Sequence, residues 1–504
     1  MMPGAMRLRS FPWYALLLGI YPVVALYATN VTEVRSAALW RPLLASLGAA
    51  GALLILLRLI FKDWYRAAVL TTILVLAFFS YGHLYPSLKT IPWLVPLVRH
   101  RILLPVWLLL TALVSWLAVR RKAQPVRWTP ALNIFAVIAL AFPLYNLGVH
   151  LVRARQAESA YEPVVLSGLS LPAGQTPPDI YYIILDAYGN TRVLQDLLGY
   201  DNTVFLDELR EQGFYVADCS QSNYAFTALS LTSSLNMNYL DAIDPAFTAG
   251  NDDERIPLYL KGSTTRLTLE EFGYRVIAFE TGYEWSNWQD ADLFLSQDRW
   301  KGLNEFEALL VDTSLLKSLH DLNLQQMPDA GTSAHRERVL FTLENLRQMP
   351  EVPGPKFVFA HLIIPHDPLD IGENGEYIEG YDSSTREAYY AGYVRQAKYI
   401  SQVIPQITAV ILEHSTTPPV IIIQGDHGPW NYEVYADRLG ILNAIYLPGG
   451  MDGFDPAMTP VNTFRRIFNL YFGADLEMLD ERSYFSTPDD PFNLTEVLNP
   501  CSGK

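Results

Sequence analysis

The stretch Val420-Ile421-Ile422-Ile423-Gln424-Gly425-Asp426-His427-Gly428 sets the reading of the whole chain. Four β-branched residues in a row, with no polar alternation, give a strand buried on both faces, the kind found in a parallel sheet covered by helices. Gly425 and Gly428 let the backbone turn tightly past the strand end and bring Asp426 and His427 to one point. In an open α/β sheet, ligands bind at the carboxyl ends of the strands. Two further runs end in the same way. Ile180–Leu185 stops at Asp186, and the run Lys356–Ala360 stops at His361, with Pro365-His366-Asp367-Pro368 just beyond. An isolated Asp after a strand is usually a turn or a helix cap, and an isolated His is usually a satisfied core or surface group. Three strand ends offering oxygen and imidazole groups to one rim are a different matter.

Outward from these runs the pattern repeats. Val276–Phe279, Phe357–Ala360 and Ala444–Leu447 read as strands, and Val204–Gln212 (ended by Gly213) and Arg386–Glu413 read as helices. Strands alternating with helices predict a central, mostly parallel sheet. The segment Ser222–Asn236 becomes a short helix rich in small hydroxyls from Thr227 onward. A hydroxyl at that helix start meets free N–H groups and the positive end of the dipole, which favour an anion or alkoxide. The same position also suits a plain N-cap.

The first third is of another kind. The chain has 504 residues, net charge −15, half of them apolar and 18% charged, which excludes a disordered chain, a coiled coil or a small disulfide scaffold. Residues 1–155 carry 16 Lys and Arg against two acids, and the rest 21 against 50, so a cationic apolar third (+14) precedes an acidic remainder (−29). The acidic part excludes a nucleic-acid partner on electrostatic grounds. Apolar runs at 11–28, 42–60, 67–85, 102–119 and 131–152 are each about long enough to cross ~30 Å of hydrocarbon. Trp13, Tyr14, Trp40, Trp64, Tyr65, Trp93 and Trp128 stand near the run ends, where amphipathic rings favour the interface. The stretch 86–101, with Pro86, Pro92 and Pro96, is expected to lie in that interface.

With the N-terminus inside, eight basic residues (Arg7, Arg9, Lys62, Arg66, Arg120, Arg121, Lys122, Arg127) face seven on the other side, so loop charge does not set the orientation. His83 and His150 near span ends make no ion pathway. Residues 156–178 mix Pro, Gly and Ser and read as a tether. The organisation expected is therefore a five-helix transmembrane domain at 1–155, a linker at 156–178 and an α/β domain at 179–504.

Asp186, Thr227, Pro365–Pro368 and Asp426-His427 occur in the order in which the alkaline phosphatase/sulfatase superfamily places its site, and Val461-Asn462-Thr463-Phe464 also looks like that family. The resemblance covers most of 179–504. Membrane spans ahead of such a domain look like the branch of lipoteichoic acid synthases and phosphoethanolamine transferases. That branch works on the outer side of the cytoplasmic membrane, which implies an extracytoplasmic catalytic domain on a multi-pass cell-membrane protein.

The resemblance implies one divalent ion (Mn, Mg or Zn) held by Asp186, Thr227, Asp426 and His427, with Thr227 as nucleophile and His366 as proton donor. It places His366 and His361 at the substrate. Where many relatives carry a further His after the Asp-His pair, Pro429–Gly440 has none, and Arg438 is the cation expected to steady phosphate. Cys219-Ser220-Gln221-Ser222-Asn223 departs from the sulfatase pattern Cys-x-Pro/Ala-x-Arg at Gln221 and Asn223, and Thr227 cannot become formylglycine. Cys219 and Cys501, the two cysteines of the chain, are free to pair in an oxidising compartment.

The activity implied is transfer of a phosphoryl-linked head group, phosphoglycerol or phosphoethanolamine in type, from a membrane lipid donor to a glycan, lipid or water acceptor through phospho-Thr227. A sulfatase-like or phosphodiesterase hydrolase shares every site residue, with acceptor choice resting on loops that carry Trp285, Trp288, Tyr377 and Tyr381. A non-catalytic scaffold would require a damaged site.

Overall fold

The computed structural model describes residues 11–89, 91, 93–94, 97–120, 125–171, 174, 176–249, 253–297, 304–321, 332–378, 381, 383, 385–450 and 453–501. Expectations for Arg7, Arg9, Pro92, Pro96, Arg121 and Lys122 lie outside the described residues. The chain forms two compact units, one of Met1–Arg153 with Arg299–Ala334 and one of Ala154–Asp298 with His335–Lys504. The segment 299–334, which the sequence leaves inside the α/β domain, thus clusters with the N-terminal helices.

That N-terminal unit has helices at Tyr14–Thr29, Ser36–Phe61, Trp64–Lys89, His100–Arg120 and Pro125–Ala160. The last four are long and apolar enough to cross a membrane. The first has 16 residues, about 24 Å at 1.5 Å per residue, and is shorter than its apolar run suggests. The Pro125–Ala160 helix also runs past the expected boundary and takes up the start of the tether. The rest of the tether is not loose chain. Tyr161 donates its hydroxyl to the Gly262 carbonyl, Leu166 N–H to Thr268 Oγ1 and Ser170 N–H to the Phe472 carbonyl. Leu166, Leu169 and Leu171 pack on the α/β core, so apolar side chains spaced through 156–178 dock it.

The α/β unit is built on seven strands. They are β1 (Ile180–Leu185), β2 (Tyr215–Val216), β3 (Arg275–Phe279), β4 (Leu293–Leu295), β5 (Lys356–Leu362), β6 (Val420–Gln424) and β7 (Asn443–Tyr446), in the order β2-β7-β6-β1-β5-β3-β4. Only β7 runs antiparallel to its neighbours, so the sheet is mostly parallel, as expected. Every residue of β1, β5 and β6 is buried.

The pleat divides β1 between two cores. Tyr181, Ile183 and Leu185 face a cluster with Ile400, Ile404 and Ile407 of the Arg386–His414 helix. Ile180, Tyr182 and Ile184 face one with Leu231, Leu235, Phe464 and Phe468. Replacing any of those isoleucines by Ala should cost about 2–5 kcal/mol. Register then places the chemistry. Ile184 pairs with His361 on one side and Gln424 on the other, so Asp186 and Asp426 continue level with each other just beyond the sheet.

Strand β2 is two residues long, and β4 three, too short to give a sequence signal. The hairpin β8 (Ser483–Thr487) and β9 (Asp490–Val497) escapes notice because Pro491 lies within it, a residue tolerated on such edges but read as a breaker.

Cys219 and Cys501 are joined, 282 positions apart in the chain, which ties the chain end to the loop after β2. Peptide mapping without reductant should show this pair, and Cys501→Ser should lower the stability of the folded chain by about 2–4 kcal/mol in denaturant titration. Two free thiols would contradict the structure.

Candidate metal centre

The site gathers at the carboxyl edge of β1, β5 and β6. The first turn after β1 is unusual, because Ala187 has φ +66°, a left-handed conformation that costs a non-glycine residue about 1 kcal/mol or more. Neighbours hold it there. Ala187 N–H donates to Asp426 Oδ1 at 2.9 Å, and its carbonyl accepts from the Tyr393 hydroxyl at 2.7 Å. Gly189 N–H donates to the same hydroxyl at 3.1 Å. The two glycines of the 425–428 turn fit for a steric reason. A Cβ at Gly425 would stand 2.4 Å from the Tyr188 carbonyl oxygen, and one at Gly428 2.1 Å from that of Asp437.

Asp186, Asp426, His427 and His361 are all buried. His361 Nε2–H donates to Asp186 Oδ2 at 3.1 Å. His427 Nδ1–H donates to the Gly428 carbonyl at 2.9 Å, which leaves the Nε2 lone pair facing the site. Around that Nε2 stand Thr227 Oγ1 at 3.0 Å, Asp426 Oδ2 at 3.5 Å and Asp186 Oδ1 at 3.6 Å. Neither Asp186 Oδ1 nor Asp426 Oδ2 has a hydrogen-bond partner. Two buried carboxylate oxygens turned toward one point and left unpaired are costly unless a cation sits between them. With the threonine oxygen and the imidazole nitrogen they form a hard-oxygen and nitrogen set that fits a divalent ion.

Two groups of side chains have ligand atoms within 4.8 Å of one another, Asp186-His366-His427 and Asp186-His361-Asp426, and they share Asp186. Burial pushes the Asp186 carboxyl upward, but His366, the His361 hydrogen bond and His427 outweigh it and hold the group well below the usual carboxylate range. Burial and the Arg438 cation push His427 down to about 4, so at neutral pH its ring is uncharged.

Thr227 opens the Thr227–Asn236 helix but is not its cap. Phe226 occupies that position without a side-chain bond, and the Thr227 hydroxyl turns to His427 instead. His366 is half-buried at the rim, with Nδ1–H donating to the Asp367 carbonyl at 2.6 Å. Arg438 is buried and points its Nε to the Ala225 carbonyl (2.8 Å) and its Nη1 to the Gly428 carbonyl (2.9 Å). Its guanidinium lies over the rings of Tyr432 and Phe226. These contacts tie the segment before Thr227 to the turn after His427. The hydrogen bonds of Arg438 thus go to backbone carbonyls.

Trp288, expected in an acceptor loop, is fully buried and stacked on Phe359 at 4.2 Å. Two residues with no sequence signal stand behind His366. His335 reaches Asp370 Oδ1 with one ring nitrogen and the Ile363 carbonyl with the other, both at 2.6 Å. That pair braces the 363–370 loop. His335 lies 35 positions from Asp370 on a separate helix, so no local spacing announces it.

No family model matches the chain, and no curated protein matches it. Solved structures do resemble it. The C-terminal periplasmic domain of EcEptC from Escherichia coli, in complex with Zn, superposes with a TM-score of 0.45 at 13% identity, over 66% of this chain and 96% of that one. Lipooligosaccharide phosphoethanolamine transferase A from Neisseria meningitidis, an integral membrane protein, gives 0.41 at 12% identity, over 91% and 95%. A protein in the alkaline phosphatase superfamily from Vibrio parahaemolyticus gives 0.39 at 14% identity, over 67% and 81%.

The purified chain should bind a divalent ion, and Asp426→Asn should lose it in elemental analysis while keeping its circular dichroism. Tyr393→Phe, which frees the Ala187 turn, should weaken metal affinity by about 10–100-fold in calorimetric titration. Unchanged binding in both variants would separate these residues from any metal.

Proposed function

We propose that this chain is a metal-dependent membrane phosphotransferase that moves a phosphoryl-linked head group, phosphoglycerol or phosphoethanolamine in type, from a lipid to an acceptor by way of phospho-Thr227. The observation that carries the reading is the Thr227 hydroxyl at a helix start, 3.0 Å from His427 Nε2, beside two partnerless buried carboxylate oxygens. The Escherichia coli domain crystallised with Zn and the phosphoethanolamine transferase from Neisseria have a similar outline.

Asp186, Thr227, Asp426 and His427 would hold one divalent cation. When bound, it supplies Lewis-acid charge that lowers the hydroxyl pKa and offsets charge on the phosphoryl group. Thr227, as one of the residues that would hold the ion, would give up its hydroxyl proton to solvent when the site is filled. Thr227 Oγ then attacks phosphorus at the lipid phosphodiester. The Oγ–P bond forms, the bond to the diacylglycerol oxygen breaks, and His366 gives that oxygen its proton. An acceptor hydroxyl attacks the same phosphorus, the Oγ–P bond breaks, and the acceptor proton passes to His366. The N-terminus of the Thr227–Asn236 helix places peptide N–H groups beside the developing negative charge. His361, bonded to Asp186, keeps that carboxylate aimed and stands beside the bound phosphate. Arg438 positions Thr227 and His427 from behind.

Glycan, lipid and water are the acceptor classes, and nucleic acid is excluded by the acidic surface charge. The Cys219–Cys501 pair suits an oxidising compartment, and the four long apolar helices suit a multi-pass cell-membrane protein, so the α/β domain is assigned to the extracytoplasmic side. The domain limits 1–155, 156–178 and 179–504 serve as the working division. The disulfide also takes Cys219 out of any formylglycine route, which disfavours a sulfatase.

Thr227→Ala should lower turnover of labelled phosphatidylglycerol or phosphatidylethanolamine by roughly 10³-fold or more with the fold intact. Acid quenching of the wild type should trap a phosphorylated peptide containing Thr227. Label in glycan or lipid product means a transferase, and free head group means a hydrolase. Normal turnover by Thr227→Ala defeats both.

A further inference from the structure

The N-terminal unit contains a cavity of about 630 Å³, inside the ~300–1,000 Å³ range of small-ligand sites. Its walls come from three sources. The Ser36–Phe61 helix gives Arg41, Ala45, Ala49 and Leu53, and the Trp64–Lys89 helix gives Leu74, Val75, Phe78 and Phe79. The third wall is the Glu305–Asp312 helix and the chain just after it, with Leu310, Val311 and Leu316.

This third wall is seated closely. A Cβ on Gly82 would stand 2.3 Å from the Thr313 backbone, and Leu315 N–H donates to the Phe78 carbonyl at 2.8 Å. Phe306 is buried edge-on against Tyr27.

The polarity of the lining is one-sided. The hydroxyls of Ser46 and Ser314 both turn to backbone carbonyls, of Gly19 and Val311. Glu307 is buried and uses one oxygen on the Asn304 N–H and the other on Arg41 Nε at 3.2 Å. What the cavity presents beyond hydrocarbon is therefore the Arg41–Glu307 ion pair, with the Arg41 side chain 54% exposed and that of Glu307 buried. Arg41 follows Trp40, itself 61% exposed, and a lipid-facing tryptophan marks the head-group level.

An apolar slot with a half-exposed guanidinium at head-group depth, paired on one side to a buried carboxylate, matches an amphiphile with an anionic head. We propose that this cavity takes one acyl chain of a glycerophospholipid, with the phosphate at Arg41, and so recruits the donor lipid. The assignment rests on the lipid-donor reading above, and the experiment keeps the two apart. Glu307 acts as a positioning residue that holds the guanidinium through Nε, and its other oxygen is taken by the capping bond to Asn304.

The test uses the full-length chain in phosphatidylcholine nanodiscs doped with phosphatidylglycerol that carries a diazirine in one acyl chain. Photolysis and peptide mapping should concentrate adducts on residues 41–53, 74–79 and 305–316. Ala49→Trp, which fills the slot, should cut those adducts about tenfold. It should leave turnover of water-soluble bis(p-nitrophenyl) phosphate unchanged. Arg41→Gln should raise KM for the lipid about tenfold with little change in kcat, and Arg41→Lys should recover part of the loss.

Adducts spread evenly over the lipid-facing sides of the His100–Arg120 and Pro125–Ala160 helices would overturn the proposal, as would equal labelling of Ala49→Trp. If that variant does not fold, the wild-type adduct map decides alone. Labelled cavity peptides without transfer of the head group would instead refute the phosphotransferase reading and leave the lipid site standing.

Discussion

Asp186 and Asp426 end neighbouring strands at the middle of the sheet, and each keeps one oxygen buried without a partner. Two like charges facing each other in a poorly solvated place repel, and each has lost its water. The surroundings answer only part of that cost. His361 and His366 favour the ionised form of Asp186, and the Ala187 N–H satisfies the far oxygen of Asp426. The remainder calls for a cation at the point where Thr227 Oγ1 and His427 Nε2 also arrive.

Much of the neighbouring structure serves to hold this geometry still. The left-handed Ala187 turn is kept by Asp426 on one side and Tyr393 on the other, so the strand end and the carboxylate fix each other. Arg438 joins the segment before Thr227 to the turn after His427 through two carbonyls, and cannot be exchanged for a freely rotating cation without losing one of them. His335 and Asp370 do the same for the loop that carries His366. The groups of the candidate site thus come from four separate segments, and three braces hold them, with Arg438 serving two of the segments. Preorganisation of this kind removes the cost of ordering such groups when a ligand binds.

The legibility of the chain follows the range of the interaction. The runs at 180–185, 357–360 and 420–423 were readable as strands because burial on both faces demands unbroken apolar residues, a demand written locally. Gly425 and Gly428 were readable as a tight turn, and the fold adds that a Cβ would stand 2.4 Å from the Tyr188 carbonyl oxygen at the first and 2.1 Å from that of Asp437 at the second. The short strands β2 and β4 were not readable, because two or three residues owe their conformation to the sheet edge they join. The sequence places Trp288 in a loop expected to choose the acceptor, and only the fold shows it stacked on Phe359. The 156–178 stretch looked like free tether, and its leucines turn out to be docked.

From the amino acids alone came the division into an apolar cationic third and an acidic α/β remainder, the strands that carry Asp186, His361 and Asp426-His427, and Thr227 at a helix start. Composition, period and turn chemistry act over a few residues, so a linear reading finds them. The tertiary structure alone decided that Thr227 Oγ1 meets His427 Nε2, that Arg438 grips backbone, that His335 braces a loop from another helix, and that residues 307–316 close a cavity with the N-terminal helices. Those facts depend on which distant segments come within a few ångströms of one another, and sheet register and packing set that distance, not position along the chain.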